Sequence, residues 1–103
     1  MKTITEGHKY ELENFEAKDM PGQTIQFIEK FQMPGTTDFV TVNDGTTNEE
    51  LLKVLINRMQ SMQAKFPCRE NAIVTTKLEE SLMWLEKRTA DRKVRGVEGK
   101  AKL

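Results

Sequence analysis

One cysteine, one histidine and no excess charge of either sign mark this sequence of 103 residues. A single thiol, Cys68, excludes an internal disulfide. A single imidazole, His8, precedes the first expected strand and reads as a surface residue. No carboxylate and histidine set has metal-ligand spacing, Cys68 has no histidine near it in sequence, and no glycine-rich phosphate loop is present. The expectation is a protein that is not an enzyme and carries no cofactor or metal. Sixteen Lys and Arg balance sixteen Asp and Glu, so no overall field draws the chain to DNA, RNA or an anionic membrane, and any anion site must be local. No apolar run approaches the ~20 residues that span a bilayer. The opening MKTITEGHKYELENFE lacks the apolar segment of a signal peptide, so the expected setting is reducing and cytoplasmic.

What is present divides sharply into strand signals and then helix signals. Gln23 to Gln32 alternates, and Phe39-Val40-Thr41-Val42 is aromatic and β-branched, which predicts two strands of a hairpin turned by Met33-Pro34-Gly35-Thr36. Tyr10 to Phe15 fits a third, edge strand, joined through Asp19-Met20-Pro21-Gly22. After Asn43-Asp44-Gly45, the segment Thr47-Asn48-Glu49-Glu50 has the form of a capping box. A first helix is therefore expected to about Phe66, with Leu51, Leu52, Leu55, Ile56, Met59 and Met62 at helical spacing. Pro67 breaks it. A second helix starts near Cys68 or Arg69 and runs to about Arg95, where Gly96 can stop it. The fold class is α+β: one domain of 103 residues, with a small antiparallel sheet over 9–43 and a long αα-hairpin over 47–96. A chain this short buries only about 60 to 70% of its unfolded surface, so association would help it.

The second helix carries two apolar groups. Val74, Leu78, Leu82 and Leu85 form one stripe, and Ala72, Thr76, Met83 and Ala90 form another, which either the sheet or a second chain must cover. Met83 and Trp84 read as core or interface. Toward the helix end, Arg88, Arg92 and Arg95 share one side and can present bidentate donors to phosphate oxygens. The plainer alternative is that cations here favour the helix dipole and pair with Glu86, Asp91 and Glu98. Asn71, in the first turn, is either an ordinary helix-start residue or an amide able to read a base edge. Cys68 is either a thiol with lowered pKa at a helix start or a small buried junction residue. Asn71 and Arg88 lie 17 residues apart, about 25 Å along a helix. If both serve one small ligand, two copies must pack antiparallel, giving two equivalent sites per twofold dimer.

The segment Pro67 to Gly99, PCRENAIVTTKLEESLMWLEKRTADRKVRGVEG, resembles the helical hairpin domain shared by phage sponges against the CBASS and Thoeris defences. It is most similar to the Thoeris anti-defence group, through Cys-Arg-Glu-Asn, Lys-Leu-Glu-Glu, Met-Trp-Leu and Arg-Thr-Ala-Asp-Arg. The first helix matches more loosely, and the strand region resembles a shortened form of the family's N-terminal sheet. The resemblance implies a sponge that sequesters glycocyclic ADP-ribose, the second messenger of a TIR enzyme, in the cytoplasm of an infected bacterium without degrading it. It also implies a homodimer, or a hexamer built from dimers, with ligand between subunits. Asn71 matches the base-reading asparagine, and Arg88 and Arg92 match the arginines that hold the diphosphate and riboses. Met62 occupies the adenine-packing position, where an aromatic is sometimes found; Phe66, one turn on, is placed to compensate. Arg69 matches the motif and adds charge. Two rivals stay open: a sponge for cyclic di- or trinucleotides of CBASS, and a protein-interaction module that binds no ligand. A hydrolase stands third.

Overall fold

The computed structural model of the protein describes residues 1–103, in which five short strands precede two long helices. Two units result: Met1–Thr47 with Gly99–Lys102, and Asn48–Glu98 with Leu103. In the first, β1 (Lys2–Thr5), β2 (Lys9–Glu11) and β3 (Thr24–Gln26) form an antiparallel sheet in that order, and β4 (Glu29–Gln32) pairs separately with β5 (Phe39–Asn43). Tyr10 and Phe27 meet edge to face at 6.1 Å. The terminal residues return to this unit, where Lys100 pairs with Asp38 and the Ala101 amide donates to Thr37 O at 2.9 Å.

The class matches the expectation, and three details differ. The strand expected over Tyr10–Phe15 is confined to Lys9–Glu11 and is central, because β1 covers its outer side. The alternating run Gln23–Gln32 breaks into two strands at Phe27 and Ile28. There the chain following β5 docks against it: Ile28 N donates to Thr46 O at 2.9 Å, and Thr46 N donates to Gln26 O at 2.8 Å. Gly45 permits that approach, since a Cβ at this position would stand 2.3 Å from Gln26 O. The expected single sheet is therefore two small ones.

The second unit is a helical hairpin, α1 (Asn48–Lys65) and α2 (Arg69–Val94), with Thr47 immediately before the first and Pro67 between them. Glu49, Leu52, Ile56, Met59 and Gln63 are half-buried on α1; Asn71, Thr75, Leu78, Leu82, Leu85, Thr89 and Arg92 are half-buried on α2. Apart from Leu51, which is also half-buried, both sets advance by alternating threes and fours, the spacing of a coiled-coil seam. Val74, expected in the same stripe as Leu78, Leu82 and Leu85, stands beside the seam at 43% exposure. The α2 helix has 26 residues against 18 in α1, so its last two turns run about 12 Å beyond the start of its partner.

This hairpin leaves much apolar surface in water. Neither helix contains a fully buried residue. Leu55, Val74, Met83 and Trp84 are all at least 40% exposed.

Candidate functional site

The start of α2 fixes Asn71. Cys68 caps the helix: its Sγ accepts the Asn71 amide at 3.4 Å, and its own amide donates to Gln63 Oε1 at 3.0 Å. This corrects the reading of Cys68 as a buried junction residue, because it is exposed. Its thiol replaces the usual Ser or Asp at a helix N-cap. The Asn71 carbonyl accepts the Thr75 hydroxyl at 2.9 Å. The backbone of Asn71 is thus held on both sides while its amide side chain, half-buried, faces the hairpin seam.

The far end of α2 fixes the arginines differently from one another. Arg95 Nε pairs with Asp91 at 3.0 Å, and its Nη1 donates to Leu103 O at 2.6 Å. Glu98 goes to Lys93 at 3.9 Å. The acid pairing anticipated for this cluster therefore engages Arg95 and Lys93. Arg88 is exposed, and no ion pair engages it. Arg92 is half-buried, with Nη2 donating to Val97 O at 3.0 Å. One guanidinium is open to solvent and the next is seated against the backbone.

Helical phase decides which residues can act together. Asn71, Leu78, Leu85 and Arg92 recur at intervals of seven, and Val74, Ser81, Arg88 and Arg95 recur beside them on one flank of the seam. Along α1 the corresponding flank carries Leu51, Leu55 and Met62, with Phe66 just past the helix end, consistent with a depression of about 290 Å³ lined by Asn48, Leu51, Leu52, Leu55 and Leu85. Met62 and Phe66 are 37% and 69% exposed. Five of the six expected site residues, Asn71, Arg88, Arg92, Met62 and Phe66, therefore share one broad face of the hairpin. Arg69 does not; it projects from the back of α2, lining a separate depression with Ala72, Ile73, Thr76 and Lys77. The stripe of Ala72, Thr76, Met83 and Ala90 lies on the opposite flank from Val74 and Arg88. Trp84 is 57% exposed with the Lys87 ammonium 5.4 Å from its ring centre.

Sequence reasoning missed two parts of this arrangement. The heptad column through Val74, Ser81 and Arg88 was legible as a spacing of seven, but serine and arginine carry no apolar signal. The seat of Arg92 on Val97 was signalled only by the Arg-Gly-Val that follows the helix. No helix is long and apolar enough to cross a membrane.

Comparison with known proteins places the chain in a family. The family model of the Acb2/Tad1 hairpin domain matches residues 25–90, which includes most of β3, β4, β5 and nearly the whole hairpin. A protein of Bacillus phage SBSphiJ7 named Thoeris anti-defense 1 is 58% identical over 57 residues, which is 54% of this chain and 40% of that relative. The chain thus spans well under half the length of that relative. On the extent of the family match, the chain belongs to the Acb2/Tad1 hairpin-domain family.

Proposed function

We propose that the protein is a phage anti-defence sponge that captures a glycocyclic ADP-ribose signal of the Thoeris system between two copies of its hairpin and holds it without degrading it. The observation that carries this reading is the placement of Asn71 and Arg92 on one heptad column, with Leu78 and Leu85 between them. Twenty-one residues of helix separate the two ends by about 31 Å, so one small ligand cannot touch both on one chain. A twofold axis near Ser81 removes the difficulty. It sets Asn71 opposite the partner's Arg92, Val74 opposite the partner's Arg88, and Leu78 opposite the partner's Leu85. Val74 and Leu55, exposed on this flank, then hold the two chains, and each end becomes a site with an amide on one side and two guanidinium groups on the other. Met62 and Phe66 lie beside Asn71 and supply an apolar wall for an adenine.

The chemistry suits capture. Bidentate arginines bind a diphosphate through charge-assisted hydrogen bonds, and an amide both donates to and accepts from a base edge. Helices carry these groups, so little ordering cost accompanies binding. The name of the phage relative supports the anti-Thoeris direction.

The test is depletion and recovery. Purified protein is mixed with glycocyclic ADP-ribose, free ligand is removed, and the complex is heat-denatured. Chromatography with mass detection should find ligand depleted before heating and returned unchanged afterwards. Altered product would mean an enzyme; no depletion would move the reading to cyclic oligonucleotides or an acidic protein partner.

A further inference from the structure

The α2 helix ends in a Schellman motif. Gly96 N donates to Lys93 O and Val97 N donates to Arg92 O, both at 3.0 Å, while Gly96 adopts φ +70. The residue three positions inside the cap is normally apolar and packs on the residue two positions beyond it. Here those places are held by Arg92 and Val97, both half-buried. Arg92 also returns the backbone bond: Val97 N donates to Arg92 O, and Arg92 Nη2 donates to Val97 O, each at 3.0 Å. The closure that satisfies the helix carbonyls therefore also closes a ring through the guanidinium and ties one of its nitrogens to the backbone.

We infer that Gly96 is a positioning residue for Arg92: its left-handed backbone sets the Val97 carbonyl that seats the guanidinium before any ligand arrives. The inference rests on the proposal that Arg92 binds the captured nucleotide. Arg88, four residues earlier and without an ion pair, must be ordered by the ligand itself. The two arginines would then divide the work, one preorganised and one adaptable.

Gly96 offers an unusually selective handle on this, because a Cβ there meets nothing within 4 Å. Only the backbone angle is at stake. A β-branched side chain strongly disfavours positive φ, whereas asparagine tolerates it. In the full-length protein, Gly96→Val should weaken glycocyclic ADP-ribose binding by about tenfold in calorimetry, and Gly96→Asn should stay within about twofold of the parent. In an Arg92→Ala background, Gly96→Val should have no further effect, since the guanidinium it would misplace is gone. An equal loss in both backgrounds, or undiminished affinity in Gly96→Val, would overturn the inference. If the parent protein binds no glycocyclic ADP-ribose, the sponge reading fails by itself. The seat is then read in the free protein from the NMR order of the Arg92 Nε–H. That bond should be rigid in the parent and in Gly96→Asn and mobile in Gly96→Val; equal rigidity in all three would refute the positioning role.

Discussion

Ser81→Glu tests the paired-helix arrangement without touching any ligand-binding residue. Ser81 is exposed on the single hairpin, and its hydroxyl only donates back to Lys77 O at 2.9 Å. Glutamate is a good helix former, so the monomer should fold normally. About the proposed twofold axis, however, Ser81 faces its own copy. The substitution sets two carboxylates roughly 6 Å apart, a repulsion of about 3 kcal/mol at an effective dielectric constant of 20. That corresponds to an increase of about 100-fold in the dimer dissociation constant. Sedimentation velocity over a concentration series measures it directly. Ser81→Lys should dissociate equally, and an equimolar mixture of the two variants should associate again, because repulsion becomes attraction. Raising the salt concentration should narrow the difference. If Ser81→Glu associates like the parent, the twofold contact does not pass through this flank of α2, and the site construction built on it is wrong.

Other predictions bear on separate parts of the molecule. Arg92→Ala should reduce glycocyclic ADP-ribose affinity by about 2 kcal/mol or more, through loss of a charge-assisted contact, with circular dichroism unchanged; undiminished affinity in the folded variant would remove Arg92 from the site. Gly45→Ala should lower the thermal midpoint by at least about 4 °C, since its Cβ would stand 2.3 Å from Gln26 O and a cost of 1 kcal/mol or more follows; an unchanged melt would mean that Thr46 is not docked as described. Cys68→Ser should hold or raise stability by about 0.5 kcal/mol, as a hydroxyl is the better helix cap. A clear drop in the midpoint would show that Sγ does more than cap.

The hairpin was legible because its signals are local and redundant. Thr47 and Glu50 marked a start, Pro67 a break and Gly96 a stop, and the observed helices begin and end within a residue or two of those positions. The sheets were less legible because strand pairing is decided at a distance. Nothing within Gln23–Gln32 announces that Gly45 and Thr46 will dock at its middle and divide it, and the short Lys2–Thr5 strand has no alternating apolar pattern to reveal it. Of the proposed site residues, spacing alone singled out Asn71, Arg88 and Arg92 as candidates beside plainer readings, and their roles, like those of Met62 and Phe66, came from family likeness. Arg69 stands apart from the other proposed site residues in helical phase. It sits two residues before Asn71, yet about 200° of helical rotation places it on the other side of α2.

Central to the account is a site shared by two copies, and subunit complementation tests it most directly. Asn71→Ala protein and Arg88→Ala/Arg92→Ala protein should each lose most of their capacity for glycocyclic ADP-ribose. Mixed and allowed to exchange subunits, they should regain binding. Each mixed dimer would carry one site with all substitutions and one with none, so a statistical mixture should bind about one quarter as much ligand as the parent at parental affinity. No recovery despite verified exchange would contradict the shared site and return Asn71 and the arginines to separate roles.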